Sequence, residues 1–82
     1  MDFNEILKQV NAVFIDILDN DSIKLTPNTT AKDIEEWDSL SHIQIIVNLE
    51  KHFKVKFTTP EIQNLKNVGE MVGAIEKKLE QK

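Results

Sequence analysis

Phe3, Ile6, Leu7, Val10, Val13, Phe14, Ile17 and Leu18 recur at three- and four-residue steps, so residues 3–18 carry one apolar face about four turns long. A stripe of that length must be covered, and the rest of the chain has to supply the cover. Asp2, with Glu5 three residues on, suits the first turn of this helix, and Asp19-Asn20-Asp21 ends it. A second helix is expected from about Ser39 to His52, with Leu40, Ile43, Ile46, Val47, Leu49 and Phe53 inward. A short third helix starts at Thr59-Pro60-Glu61, where threonine caps and proline takes the first turn. A fourth follows Asn67, with Val68, Met71, Val72, Ile75 and Leu79 on one stripe and Asn67 and Glu70 at capping-box spacing. Gly69 and Gly73 weaken that helix without erasing its pattern. The expected fold is all-α: a small four-helix bundle of three longer helices and one short one, with a long connector between the first and second, as a single domain over residues 1–82.

Two stretches break the helical period. Ser22-Ile23-Lys24-Leu25-Thr26 and Lys54-Val55-Lys56-Phe57-Thr58 alternate polar and apolar, but neither has hairpin turn chemistry, and a lone two-stranded ribbon is marginal. Both read as extended connectors that tuck Ile23, Leu25, Val55 and Phe57 into the bundle. The link from Asp19 to Asp38 is long for so small a domain, and Thr30-Ala31-Lys32-Asp33 is expected to form one helical turn within it.

Composition excludes several classes. With no cysteine, the chain has no disulfide, thiolate metal site or thiol nucleophile, and the cytoplasm is its expected home. Its start lacks a basic region followed by an apolar run, so it does not read as a signal peptide. The longest apolar run, Ala12-Val13-Phe14-Ile15, is too short for membrane insertion. Residues 1–38 hold nine Asp/Glu against three Lys, whereas residues 39–82 hold five against seven. Arginine is absent, and the whole chain carries a net charge of −4, which together argue against nucleic-acid binding. A monomer is expected.

Asp38-Ser39-Leu40 is where the polar connector meets the second helix. A serine hydroxyl at a helix N-terminus sits among unpaired N–H groups and the positive end of the dipole, a field suited to an attached phosphate. The plainer account is an N-cap, because Asp and Ser are both favoured there. The two are compatible if Asp38 caps while Ser39 carries a group. Asp38, Ser39 and His42 do not make a catalytic triad on sequence nearness alone, and a bundle this small has little room for a substrate cleft. His42 and His52 lie ten apart on one helix and do not share a face for zinc; each reads as a boundary histidine. A calcium loop starting at Asp19 would place Lys24 at the glycine position and Thr30 at the closing glutamate, so calcium fails as well. Trp37, the only tryptophan, reads first as a core anchor and second as a partner contact.

The run Glu36-Trp37-Asp38-Ser39-Leu40-Ser41-His42-Ile43-Gln44-Ile45-Ile46-Val47-Asn48-Leu49-Glu50-Lys51-His52-Phe53 resembles the modification site and second helix of acyl carrier proteins. The likeness extends to the long first helix and connector, to Phe57-Thr58-Thr59-Pro60-Glu61-Ile62 ahead of helix three, and to Asn67-Val68-Gly69 opening helix four. The resemblance implies that Ser39 bears 4′-phosphopantetheine, transferred from coenzyme A by a phosphopantetheinyl transferase, with Asp38 and Leu40 at the flanking positions the transferase reads. The thiol of that arm would hold acyl or aminoacyl groups as thioesters, and a chain without cysteine must import its thiol. Such a protein is no enzyme; acyl-loading and acyl-transferring partners do the chemistry.

Ile43, Ile46, Val47, Met71, Val72 and Ile75 are candidates to line a groove for the acyl chain, with ordinary core packing as the competing account. Partner contacts are expected from Trp37, Ser41, Gln44, Ile45 and Asn48, with Ser41, Gln44, Asn48 and Lys51 read as outward and Ile45 as an exposed apolar flank. The resemblance has one departure. Carriers of bacterial fatty-acid synthesis show several carboxylates along helix two, and here only Glu50 is acidic. Weaker electrostatic steering on this face points towards specialised polyketide, peptide or modified-sugar pathways as well as fatty-acid-like ones. An unmodified helical module that docks through helix two is the alternative from a different class.

Overall fold

The Asp2 carboxylate accepts the Glu5 backbone N–H at 2.8 Å and starts α1, Phe3–Leu18. The computed structural model describes residues 2–80. Asp19, in the left-handed conformation at φ 53°, closes α1 by donating its N–H to the Ile15 carbonyl. Helix α2 runs Ser39–Phe53, α3 Thr59–Gln63 and α4 Val68–Glu80. The described residues form no strand, and the architecture is the all-helical one expected.

Helix α1 packs against both α2 and α4. Ile6, Val10 and Phe14 from its stripe are fully buried with Ile45, Ile46 and Leu49 of α2 and Val68, Met71, Val72 and Ile75 of α4. Trp37 closes the cluster from the connector, its ring edge-on to Phe14 at 4.9 Å between centroids. Ile23 and Leu25, then Val55 and Phe57, enter the same core from the two extended stretches.

Side chains on the helices hold these extended stretches. Asn11 accepts the Leu25 N–H at 2.6 Å and donates to the Ile23 carbonyl at 3.3 Å, doing for residues 23–25 what a neighbouring strand would do. On the far side, the N–H groups of Val68 and Gly69 donate to the carbonyls of Thr29 and Pro27, both at 2.9 Å, so the connector satisfies the start of α4. That close approach needs glycine: a Cβ at position 69 would stand 2.8 Å from the Pro27 oxygen. Residues 30–33 form a hydrogen-bonded turn and not the expected helical one, with Asp33 Oδ2 accepting the Thr30 N–H.

Two caps differ from expectation. Thr58, one residue earlier than read from the sequence, caps α3; its hydroxyl accepts the Glu61 N–H while Glu61 returns a bond to the Thr58 N–H. Proline therefore sits second in α3, where its missing N–H is still no loss. Asn67 does cap α4, but Glu70 reaches one residue past it to the Lys66 N–H. Lys78 secures α3 to α4 through the Glu61 carboxylate at 2.9 Å, its ammonium 5.2 Å from the Phe57 ring centroid.

Helix α2 is turned about its axis by roughly a quarter turn from the orientation expected, close to the 100° step of one residue. Ile45 is fully buried and Ser41 is 8% exposed, whereas Leu40, Ile43 and Val47 are 70%, 56% and 42% exposed. Ser41 and Ile45 are therefore interior residues, and Leu40, Ile43 and Val47 are not. Apolar side chains lie nearly all round this helix, so periodicity alone leaves its rotation open. The choice falls to Ser41, whose hydroxyl finds backbone partners at the helix start and can go inside.

Candidate functional site

Three residues at the connector–α2 junction divide the work of starting the helix. Asp38 is the N-cap: its Oδ1 accepts the Ser41 N–H at 2.9 Å. Ser41 completes the reciprocal box, its Oγ accepting the Asp38 N–H at 2.8 Å and donating to the Glu36 carbonyl at 2.9 Å. The bond from the Ser41 N–H, with help from its hydroxyl, holds the Asp38 carboxyl below its ordinary value of 3.8. The box is not legible in the sequence, because serine stands where glutamate or glutamine usually signals one.

Ser39 takes no part in the cap. It is the first residue of a 15-residue helix, and its side chain is exposed to solvent. The N-terminal field of α2 therefore acts on a hydroxyl that the fold does not use.

Beside it lies a depression of ≈ 500 Å³ whose apolar wall comes from Trp37, Ile43, Ile62 and Leu65 and whose polar edge includes His42 and Lys66. His42 fixes that wall. Its Nδ1 accepts the Trp37 indole N–H at 3.1 Å, and its Nε2 lies 3.2 Å from the Ile62 carbonyl, so an imidazole with its proton on Nε2 satisfies both. The histidine thus ties α3 to α2 and gives the buried indole its partner. His52, the other boundary histidine, meets the Gln9 Oε1 across the α1–α2 seam.

The remaining expected site residues scatter. Asp38, Ser39 and Leu40 come together at the helix start and are all exposed. Trp37 is 4% exposed and belongs to the core, so it offers no surface to a partner. Gln44 and Asn48 are exposed, one turn apart, with the Asn48 amide on the Gln44 carbonyl. Ile46, Met71, Val72 and Ile75 are packed in the centre of the bundle, so cargo reaching them would have to displace core side chains. Ile43 and Val47 stand outside that core. Glu50 turns away from α2's outer face, its carboxylate accepting the Phe57 N–H at 2.8 Å. Among the described residues no cluster of His, Asp or Glu could hold a metal ion, and no helix is long and apolar enough to cross a membrane.

Comparison with known proteins gives one consistent result. The profile of the phosphopantetheine attachment site family matches residues 8–75. An acyl carrier protein of Thermosynechococcus vestitus is 32% identical over 79 residues, spanning 96% of this chain and 98% of that protein. One from Phytoplasma australiense is 31% identical over 74 residues, covering 90% and 97%. The solution structure of a holo acyl carrier protein from Geobacter metallireducens superposes with a TM-score of 0.87 at 47% identity, over 93% of this chain and 87% of that one. The chain belongs to the acyl carrier protein family, whose members are carriers and not catalysts and whose cofactor is covalently attached 4′-phosphopantetheine.

Proposed function

We infer that Ser39 is the residue that receives 4′-phosphopantetheine, and that the loaded chain passes acyl or aminoacyl groups between biosynthetic enzymes. The observation that carries this reading is the division of labour at the start of α2. Asp38 and Ser41 satisfy the helix end between them, which leaves the Ser39 hydroxyl exposed and uncommitted. The group fits the residues present. Its phosphate would sit in the N-terminal field of α2, and Ile43, Ile62 and Leu65, backed by the buried Trp37 ring, offer the arm an apolar surface beside its anchor. When bound, the arm supplies a terminal thiol on which cargo is held as a thioester. The chain's own residues supply position: Asp38 fixes the helix start, His42 holds the wall, and Leu40 is open to the phosphopantetheinyl transferase.

The carrier acts as a single monomeric domain in the cytoplasm, in a specialised pathway as readily as in a fatty-acid-like one. The small number of carboxylates on α2 supports that wider range, since Gln44 and Asn48 occupy its outer surface where charge would steer basic partners. Acyl-loading and acyl-transferring enzymes are its partners, with Leu40, Ile43, Gln44, Val47 and Asn48 as the contact residues.

The test is an intact-mass measurement after incubation with coenzyme A and a broad-specificity transferase. The wild-type chain gains one phosphopantetheine and Ser39→Ala gains none. An unchanged wild-type mass beside an active control carrier, or an undiminished gain in Ser39→Ala, overturns the assignment.

A further inference from the structure

We propose that His42 bolts the cleft between α2 and α3, so that cargo on the arm stays outside the bundle and belongs to the class of short or polar acyl and aminoacyl groups. The proposal rests on the placement of the arm at Ser39, and the experiment below separates the two.

The depression of ≈ 500 Å³ beside Ser39 has Ser39, His42 and Ile43 of α2 on one side and Ile62 and Gln63 of α3 on another. A chain tethered at Ser39 that turned inward there would have to part those two helices. Helix α3 is the wall that could give. It has five residues, none of them buried, and Ile62 packs only half-buried against the core. Polar side chains tie it from both sides: Glu61 meets Lys78 of α4 at 2.9 Å, and the Ile62 carbonyl lies 3.2 Å from His42 Nε2. The second tie spans the cleft.

His42 is itself held from behind. The Trp37 indole N–H can only donate, so Nδ1 accepts it and Nε2 is left to donate to the Ile62 carbonyl. That carbonyl lies in the last turn of α3, where helix carbonyls lack an intrahelical donor. Moving His42 aside therefore strands a buried indole donor and a helix-end acceptor together, and each unmet group is costly. The space behind the bolt is also filled: Ile46, Met71, Val72 and Ile75 are at most 1% exposed. Outside it, Ile43, Ile62 and Leu65 give a few carbons an apolar floor, and the Gln63 amide and Lys66 ammonium can donate to oxygens on the cargo. A long alkyl chain would be left in water, which disfavours it as cargo.

The full chain can be loaded from butyryl- and from decanoyl-coenzyme A by a broad-specificity transferase, with intact mass identifying each product. In the wild type the ¹³C-methyl signals of Ile46, Val72 and Ile75 should coincide in the two forms, and their Tm values should agree within about 2 °C. His42→Asn keeps an acceptor near the Nδ1 position for the indole but withdraws the donor from Ile62, and there the decanoyl form alone should shift those methyls. His42→Gln, whose amide reaches the Nε2 position, should restore the wild-type result. In the unmodified chain, His42→Asn should also speed amide exchange at Asn64 roughly fivefold, because that N–H closes α3 on the Pro60 and Glu61 carbonyls, while exchange at Ile45 stays unchanged. Shifted core methyls in the decanoyl wild type overturn the proposal, and this comparison decides where the cargo lies even if His42→Asn fails to fold. Unmoved methyls in decanoyl His42→Asn, a His42→Gln variant that behaves like His42→Asn, or unchanged exchange at Asn64 overturns it as well. A wild-type chain that gains no acyl-phosphopantetheine beside an active control carrier refutes the arm at Ser39 instead, and the exchange comparison still decides whether His42 is the bolt.

Discussion

Ser39 and Ser41 are two residues apart and chemically identical, yet their removal should have opposite effects. Ser41→Ala deletes an oxygen that accepts the Asp38 N–H at 2.8 Å and donates to the Glu36 carbonyl at 2.9 Å, in a residue only 8% exposed. Each such bond contributes about 0.5–1.5 kcal/mol, and the groups left behind are only partly open to water, so the expected loss is about 1.5 kcal/mol. An unfolding entropy of roughly 2.1 cal/mol/K per residue gives the whole chain about 170 cal/mol/K, which converts that loss into a fall in Tm of about 9 °C. Ser39→Ala deletes no bond of the cap and replaces serine with a better helix former, so its Tm should stay within about 3 °C of the wild type. Thermal melts by circular dichroism on both unmodified variants, paired with intact mass after incubation with coenzyme A and a transferase, read stability and modification separately. Ser41→Ala should melt early and still take up phosphopantetheine; Ser39→Ala should melt normally and take up none. Equal melting temperatures for the two variants, or loss of modification in Ser41→Ala while it remains folded, would refute the division of labour between the two hydroxyls.

The two glycines of α4 should also diverge. Gly69→Ala drives a Cβ against the Pro27 oxygen and should cost about 1–3 kcal/mol, whereas Gly73→Ala, which meets open space, should add about 0.5–1 kcal/mol; urea midpoints measure both. Asn11→Leu removes both bonds to residues 23–25 and should cost about 1–3 kcal/mol, with amide exchange at Leu25 rising before exchange at Ile45 does. Acid should weaken the fold at two carboxylates, because the Lys78 ammonium holds Glu61 below its ordinary 4.5 and the Ser41 N–H holds Asp38 below its ordinary 3.8. Both contributions are complete above those values and are lost as pH falls through the lower folded-state ones, so Glu61→Gln should flatten the Tm profile below about pH 4.5 while leaving its shape at neutral pH unchanged.

Some features set by neighbours within a few residues were legible in the sequence, although the Ser41 half of the α2 capping box and the exact start of α3 were not. The stripe of α1, the Asp38 cap and the exposed hydroxyl at Ser39 all follow from groups that find their partners within one turn. Features set by distant backbone were not. Asn11 reads as an ordinary surface amide until residues 23–25 arrive against it, and Gly69 reads as a weak helical position until Pro27 occupies the space a side chain would take. The rotation of α2 failed for a third reason. Assigning Ser41 outward and Leu40, Ile43 and Val47 inward, with Ile45 left at the exposed flank, treats polarity as a property of the residue, whereas burial depends on whether a polar group has a partner inside. Ser41 has one because the chain turns at Asp38, so it enters the interior with Ile45, and Leu40, Ile43 and Val47 come to the surface. The capping bonds at the start of α2 thus let Ser41 share the buried face with Ile45, Ile46 and Leu49. The same few residues that leave Ser39 free also make room inside for Ser41, and Leu40, Ile43 and Val47 lie on the outer side of the helix.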